Sequence, residues 1–202
     1  LSLIQEKLRW DDIRKFHEEN PVDPMANLIA TTPVEITKAN IPRILRLHIE
    51  WINGPKGIWA ERKVNLAGAD FSEADLNNAD LRYADLRNAN LRGANLWAAN
   101  LASATLTAAD LTEAFLHGAN LSSAKLSTAV LKGADLCGAN LHCADFRGAD
   151  LRNVNFCEAK LTNAKFSLAN LSGAKLAKAD LSGADFNGAD LTGVDLTGTV
   201  FP

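Results

Sequence analysis

Few residues in this 202-residue chain can do soft-metal or nucleophilic chemistry: Cys137, Cys143 and Cys157, and His17, His48, His117 and His142. Cys137 and Cys157 are twenty positions apart, His117 lies twenty before Cys137, and Trp97 twenty before that. Aligned His and Cys are the raw material of a thiolate–imidazole metal centre. Yet the chain has no zinc-ligand spacing, no phosphate-binding glycine loop and no Ser–His–Asp or Cys–His motif. Carboxylates are plentiful, at 24, but acid–base catalysis would need a buried pair. An odd number of cysteines reads as reduced thiols, and so as a cytoplasmic protein. Whether a spacing of twenty means anything depends on the element that carries it.

That element is a repeat of five running from Val64 to Phe201. A large apolar residue falls at 66, 71, 76 and every fifth position to 201, and all 28 are Leu or Phe. Ala stands two residues before each, except at Val64, Val154, Val194 and Thr199. Of the 13 glycines, 11 lie here, each two residues after a centre. At roughly 100° per residue, a period of five scatters apolar residues around a helix, so a helix is excluded. Ala and the centre, separated by Asp or Asn, read as a three-residue piece of strand facing inward. The Gly-, Asn- and Ser-rich pair that follows reads as a corner. Such a unit buries its apolar side only by stacking on copies of itself.

The pattern resembles the pentapeptide-repeat family, A-(D/N)-L-x-x, over about two-thirds of the chain. The resemblance implies an all-β solenoid, a right-handed quadrilateral β-helix with four repeats to a coil. The 28 centres then make seven coils, 64–83 through 184–202. At ~4.8 Å per coil the rod is on the order of 30 Å long. Each buried Leu or Phe contributes roughly 1.5–3 kcal/mol. Phe146, Phe166 and Phe186, twenty apart, should stack on one wall.

Four repeats to a coil place residues twenty apart in one column. His117, Cys137 and Cys157 then lie along a line about two strand spacings long, too long for one tetrahedral zinc with ~2.3 Å bonds. We therefore expect no metal, cofactor or catalytic residue, and no enzyme. Trp97, Phe115 and His117 are the candidate partner-binding residues, because outward aromatics are otherwise rare among these repeats. The alternative is that an N-terminal helix folds back over them.

Residues 1–63 lack the register and carry 10 basic and 9 acidic residues, against 11 and 15 in the repeats. Leu3 to about Glu19 reads as an amphipathic helix, ended by Asn20-Pro21. Thr32-Pro33-Val34-Glu35 is a capping box, and Asn40 caps a stronger helix at roughly 41–53, ended by Gly54-Pro55. That helix is too apolar for a free surface helix, with Ile41, Ile44, Leu45, Leu47, Ile49, Trp51 and Ile52. The segment is expected to be an N-terminal α-helical cap over the open β-helix end. The stretch from Leu47 to Ile52, with His48 and Trp51 three apart, also resembles the His-x-x-Trp part of the lead-in of many bacterial and phage members. The sequence starts at Leu1 rather than Met, which leaves room for a targeting segment upstream.

Arg82, Arg87, Arg92, Arg147 and Arg152 each follow an Asp or Asn by two, which predicts local pairing rather than a nucleic-acid surface. No apolar run is long enough to span a membrane. Some relatives imitate duplex DNA and bind DNA gyrase. Here Lys125, Lys160, Lys165 and Lys175 interrupt the acidic positions, and only Asp180, Asp185, Asp190 and Asp195 form a ring. The leading reading is a non-enzymatic bacterial scaffold that binds a protein partner. The alternatives are a gyrase-binding DNA mimic and the repeat module of a larger effector or adaptor. At the C-terminal end, Phe186, Leu191, Leu196, Val200 and Phe201 are expected to form an interface. Either two copies stack end to end as a homodimer, or the natural chain continues beyond Pro202.

Overall fold

The computed structural model describes residues 41–53 and 65–201. In the second segment the chain bridges in parallel to itself every twenty residues, from Asn65↔Asp85 to Asp180↔Val200. Four such columns, starting at Asn65, Asp70, Asp75 and Asp80, define faces 1 to 4 and run seven residues deep. A four-sided solenoid of seven coils results. Each face contributes one bridging residue per coil, fewer than the three-residue strand expected, because the corners intervene every fifth residue.

Backbone hydrogen bonds show why the period is five. Leu66 N–H donates to the Asp85 carbonyl at 3.0 Å, Gly68 N–H to that of Arg87 at 2.8 Å, and Asn90 N–H to that of Ala69 at 2.9 Å. A fourth bond, from Ala69 N–H to the Leu66 carbonyl at 3.1 Å, closes the corner. One N–H per repeat is left over, on the residue after the centre. The preceding Asp or Asn accepts it, as Asn65 Oδ1 does from Ala67 N–H at 3.0 Å. The polar residue in the repeat is therefore architectural, completing the satisfaction of the backbone.

Each corner needs positive φ at the second residue after the centre, the requirement of a type II turn. Eleven glycines and sixteen other residues meet it, with φ between 51° and 71°. Glycine suits the position because it carries no Cβ penalty there. Leu168, at φ 62° and exposed, lacks that advantage.

Inside, the centres and their alanines form one continuous apolar cluster, almost all fully buried from coil 1 to coil 6. Phe146 and Phe166 stack with centroids 5.2 Å apart, and Phe166 and Phe186 at 4.8 Å, both pairs with rings 4° from parallel. This is the expected aromatic stack. Phe156, from the opposite wall, meets it edge-on at 5.8 and 6.2 Å, the favourable T-shaped geometry.

Helix α1, Ile41–Asn53, has the expected bounds. Ile41 and Ile44 are buried in the same cluster as Leu66 and Phe71, and Leu45 packs against it. His48, fully buried on that side, donates from Nε2 to the Arg82 carbonyl at 3.0 Å. The Leu3–Glu19 helix, the capping box and the Gly54-Pro55 stop lie outside the described residues.

Three substitutions test this packing in thermal melts. Ala134→Leu should overpack the interior and cost roughly 1–3 kcal/mol, while Asp135→Asn, which keeps the acceptor, should cost little. Equal tolerance would refute the inward assignment of alanine. Leu168→Gly should raise stability by up to about 1 kcal/mol by removing left-handed strain. A lower melting temperature would show that the corner does not strain Leu168.

Candidate interaction face

Face 3 carries the unusual side chains. Its bridging column runs Asp75, Asn95, Phe115, Asp135, Asn155, Lys175, Asp195. Trp97, His117, Cys137 and Cys157 each sit two residues after a member of it. Trp97 N–H donates to Asn95 Oδ1 at 3.2 Å, which fixes its corner. Phe115 has no oxygen to offer His117 N–H, so this repeat gives up its side-chain bond and exposes a ring instead. Trp97 is 51% exposed and Phe115 56%. With His117, Asn77, Asn95 and Asp135 they line an open depression of about 550 Å³. The structure thus brings Trp97, Phe115 and His117 together. Helix α1 does not cover them.

The thiols divide in two. Cys137 and Cys157 are half-buried on face 3, and burial, then Asp135, Cys157 and Glu158, pushes the Cys137 thiol up. Cys143 is exposed, with Sγ 3.2 Å from His142 Nε2, while His142 Nδ1 lies 2.6 Å from Thr162 Oγ1. The sequence has no Cys–His motif, yet the structure brings this adjacent pair into contact, which corrects the expectation of no such grouping. Adjacency in the chain was the only signal, and it could not reveal which way the two side chains turn. Among the described residues no three His, Cys, Asp or Glu side chains gather as metal ligands.

Charge is settled locally. Arg82, Arg87, Arg147 and Arg152 each grip the Asp two residues before them through Nε and Nη2, at 2.6–2.8 Å. Arg92 follows Asn90 and instead reaches Glu113 on the next coil at 3.4 Å. At the far end Leu191, Leu196, Val200 and Phe201 are exposed and Phe186 is half-buried. Coil 7 is the last described layer.

The pentapeptide-repeat family model matches in eight copies, from residues 62–97 at one end to 164–201 at the other. The chain belongs to the pentapeptide-repeat family. Its four-faced ladder is accordingly the right-handed quadrilateral β-helix of that family. No curated protein is similar enough to match it. Among solved structures, the pentapeptide-repeat protein Rfr23 of the cyanobacterium Cyanothece is 34% identical, over 48% of this chain and 64% of that one, with a TM-score of 0.28. The chain thus spans less than two-thirds of Rfr23. HetL of the cyanobacterium Nostoc, involved in regulating heterocyst differentiation, is 29% identical over 81% and 97%, with a TM-score of 0.23. QnrB1, a plasmid-mediated fluoroquinolone resistance protein, is 21% identical over 67% and 83%, with a TM-score of 0.34. These scores are low, and family membership rests on the repeat match.

The pentapeptide Asp residues also set an acid limit. The Arg147 and Arg152 guanidinium groups hold Asp145 and Asp150 below the usual carboxylate range. Hydroxyl groups of Ser182, Thr192 and Thr197 do the same for Asp180, Asp190 and Asp195, and that of Ser167 for Asp185. At Asp80 burial works the other way, but the Arg82 fork wins. Each folded pKa lies below its unfolded value, so the folded state binds fewer protons. That stability is fully present above the unfolded pKa, about 4, and is lost as pH falls through the folded values. Melting temperature should be flat from neutral pH to about 5 and drop below about 4. A protein equally stable at pH 2 would refute the pairing.

Proposed function

We propose that this pentapeptide-repeat protein is a non-enzymatic, rigid scaffold that binds a protein partner through face 3. The observation that carries it is the adjacent exposed pair, Trp97 and Phe115, which line one depression together; the other large exposed apolar residues of coils 1 to 6, Tyr83 and Leu168, do not line it. Exposed aromatics on a rigid support are the usual anchors of protein interfaces. The rim of Asn77, Asn95 and Asp135 suits a partner segment that presents an apolar side chain beside a donor or cation. In this reading α1 is part of an N-terminal cap, supported by the burial of Ile41, Ile44 and His48 against the first coil.

Charge speaks for this reading over DNA mimicry. Along face 1, Lys125, Asp145, Lys165 and Asp185 alternate in one column, which breaks any continuous acidic stripe.

The test is affinity capture and crosslinking with wild type and with Trp97→Ala/Phe115→Ala. The double variant should keep the wild-type melting profile and lose the captured partner. A folded double variant that retains every partner would place the interface elsewhere.

A further inference from the structure

We propose that Cys137 and Cys157 form a two-coordinate clamp for a soft d10 ion of the Cu(I) class. The two cysteines occupy equivalent corners of successive coils. Each N–H is fixed by the Asp or Asn before it: Cys137 N–H donates to Asp135 Oδ1 and Cys157 N–H to Asn155 Oδ1, both at 3.1 Å. The two corners are tied together by Asn155 Nδ2 donating to Asp135 Oδ1 at 2.8 Å. On either side the ladder closes, with Leu136 N–H to the Asn155 carbonyl at 2.7 Å and Gly138 N–H to the Cys157 carbonyl at 2.8 Å. Their side chains therefore start one strand spacing apart, ~4.8 Å, and both remain half open to solvent.

That spacing selects the chemistry. A disulfide wants Cβ atoms about 3.5–4.5 Å apart, closer than the ladder holds them. Tetrahedral zinc needs four ligands, and the next member of the column, His117, is a further coil away. Two metal–sulfur bonds of about 2.3 Å set in line span about 4.6 Å, close to one strand spacing. Thiolates select Cu(I), zinc and iron–sulfur centres, and of these Cu(I) is the one that two ligands in line can satisfy. Cys143 is no competitor, because its sulfur lies 3.2 Å from His142 Nε2, a hydrogen-bond contact too short for an ion in line between them. On binding, two S–H bonds break and two Cu–S bonds form. Both protons pass to solvent, no electron is transferred, and the site carries one net negative charge.

The test titrates the reduced full chain, without oxygen, with Cu(I) against a chromophoric Cu(I) chelator. Wild type should take one Cu(I) per chain, with an absorption spectrum showing two sulfur neighbours at one distance. Cys137→Ser and Cys157→Ser should each lose it, while Cys143→Ser and His142→Ala keep it, all four with wild-type melting in the absence of metal. Zn(II) should not compete. Retention by Cys137→Ser, or loss in Cys143→Ser, would overturn the proposal. So would a Cys137–Cys157 disulfide formed by mild oxidant at unchanged melting temperature, since that would show the sulfurs already too close.

Discussion

Everything in this molecule depends on the parallel bond between each residue and the residue twenty positions on. Of five N–H groups in a repeat, three bond to neighbouring coils, one closes the corner and one goes to an Asp or Asn side chain. The chain reaches this satisfaction without any long strand, because each face uses one bridging residue. Leu and Phe then fill the interior that four walls enclose, and Ala is what fits beside them. Polar satisfaction and core packing ask for the same period, which is the consistency expected of a sequence that specifies one fold.

Most of this was legible because a five-residue period admits few structures. The register, the stacked Phe146, Phe166 and Phe186, and the bounds of α1 follow from spacing and caps. Side-chain direction was not legible. Phe156 crosses from the opposite wall to meet the stack edge-on, and Arg92 turns to Glu113 rather than to its own repeat. The His142–Cys143 contact is of the same kind. A period fixes where a Cα lies, whereas rotamers at a corner depend on neighbours a coil away. For face 3, column arithmetic placed Trp97, Phe115 and His117 together. It did not reveal the depression they line.

A ladder of this kind turns sequence positions into a surface grid. Residues twenty apart are held one strand spacing apart, so interaction chemistry is set by which columns depart from the repeat. Where Phe115 replaces an Asp or Asn, a backbone bond is given up and a ring gained. Val130 and the lysines at 125, 160, 165 and 175 forgo the same bond, so the departure alone marks no site. The distinction of face 3 is that the ring gained at Phe115 adjoins a second exposed ring, Trp97.

The central claim is the twenty-residue ladder, and spin-label distances test it most directly. With the native cysteines replaced, label pairs would be placed at 102/162 and 102/182, three and four coils apart on face 4. The ladder predicts narrow distributions whose means differ by one strand spacing, ~4.8 Å. Broad distributions, or means that do not step by that increment, would contradict it.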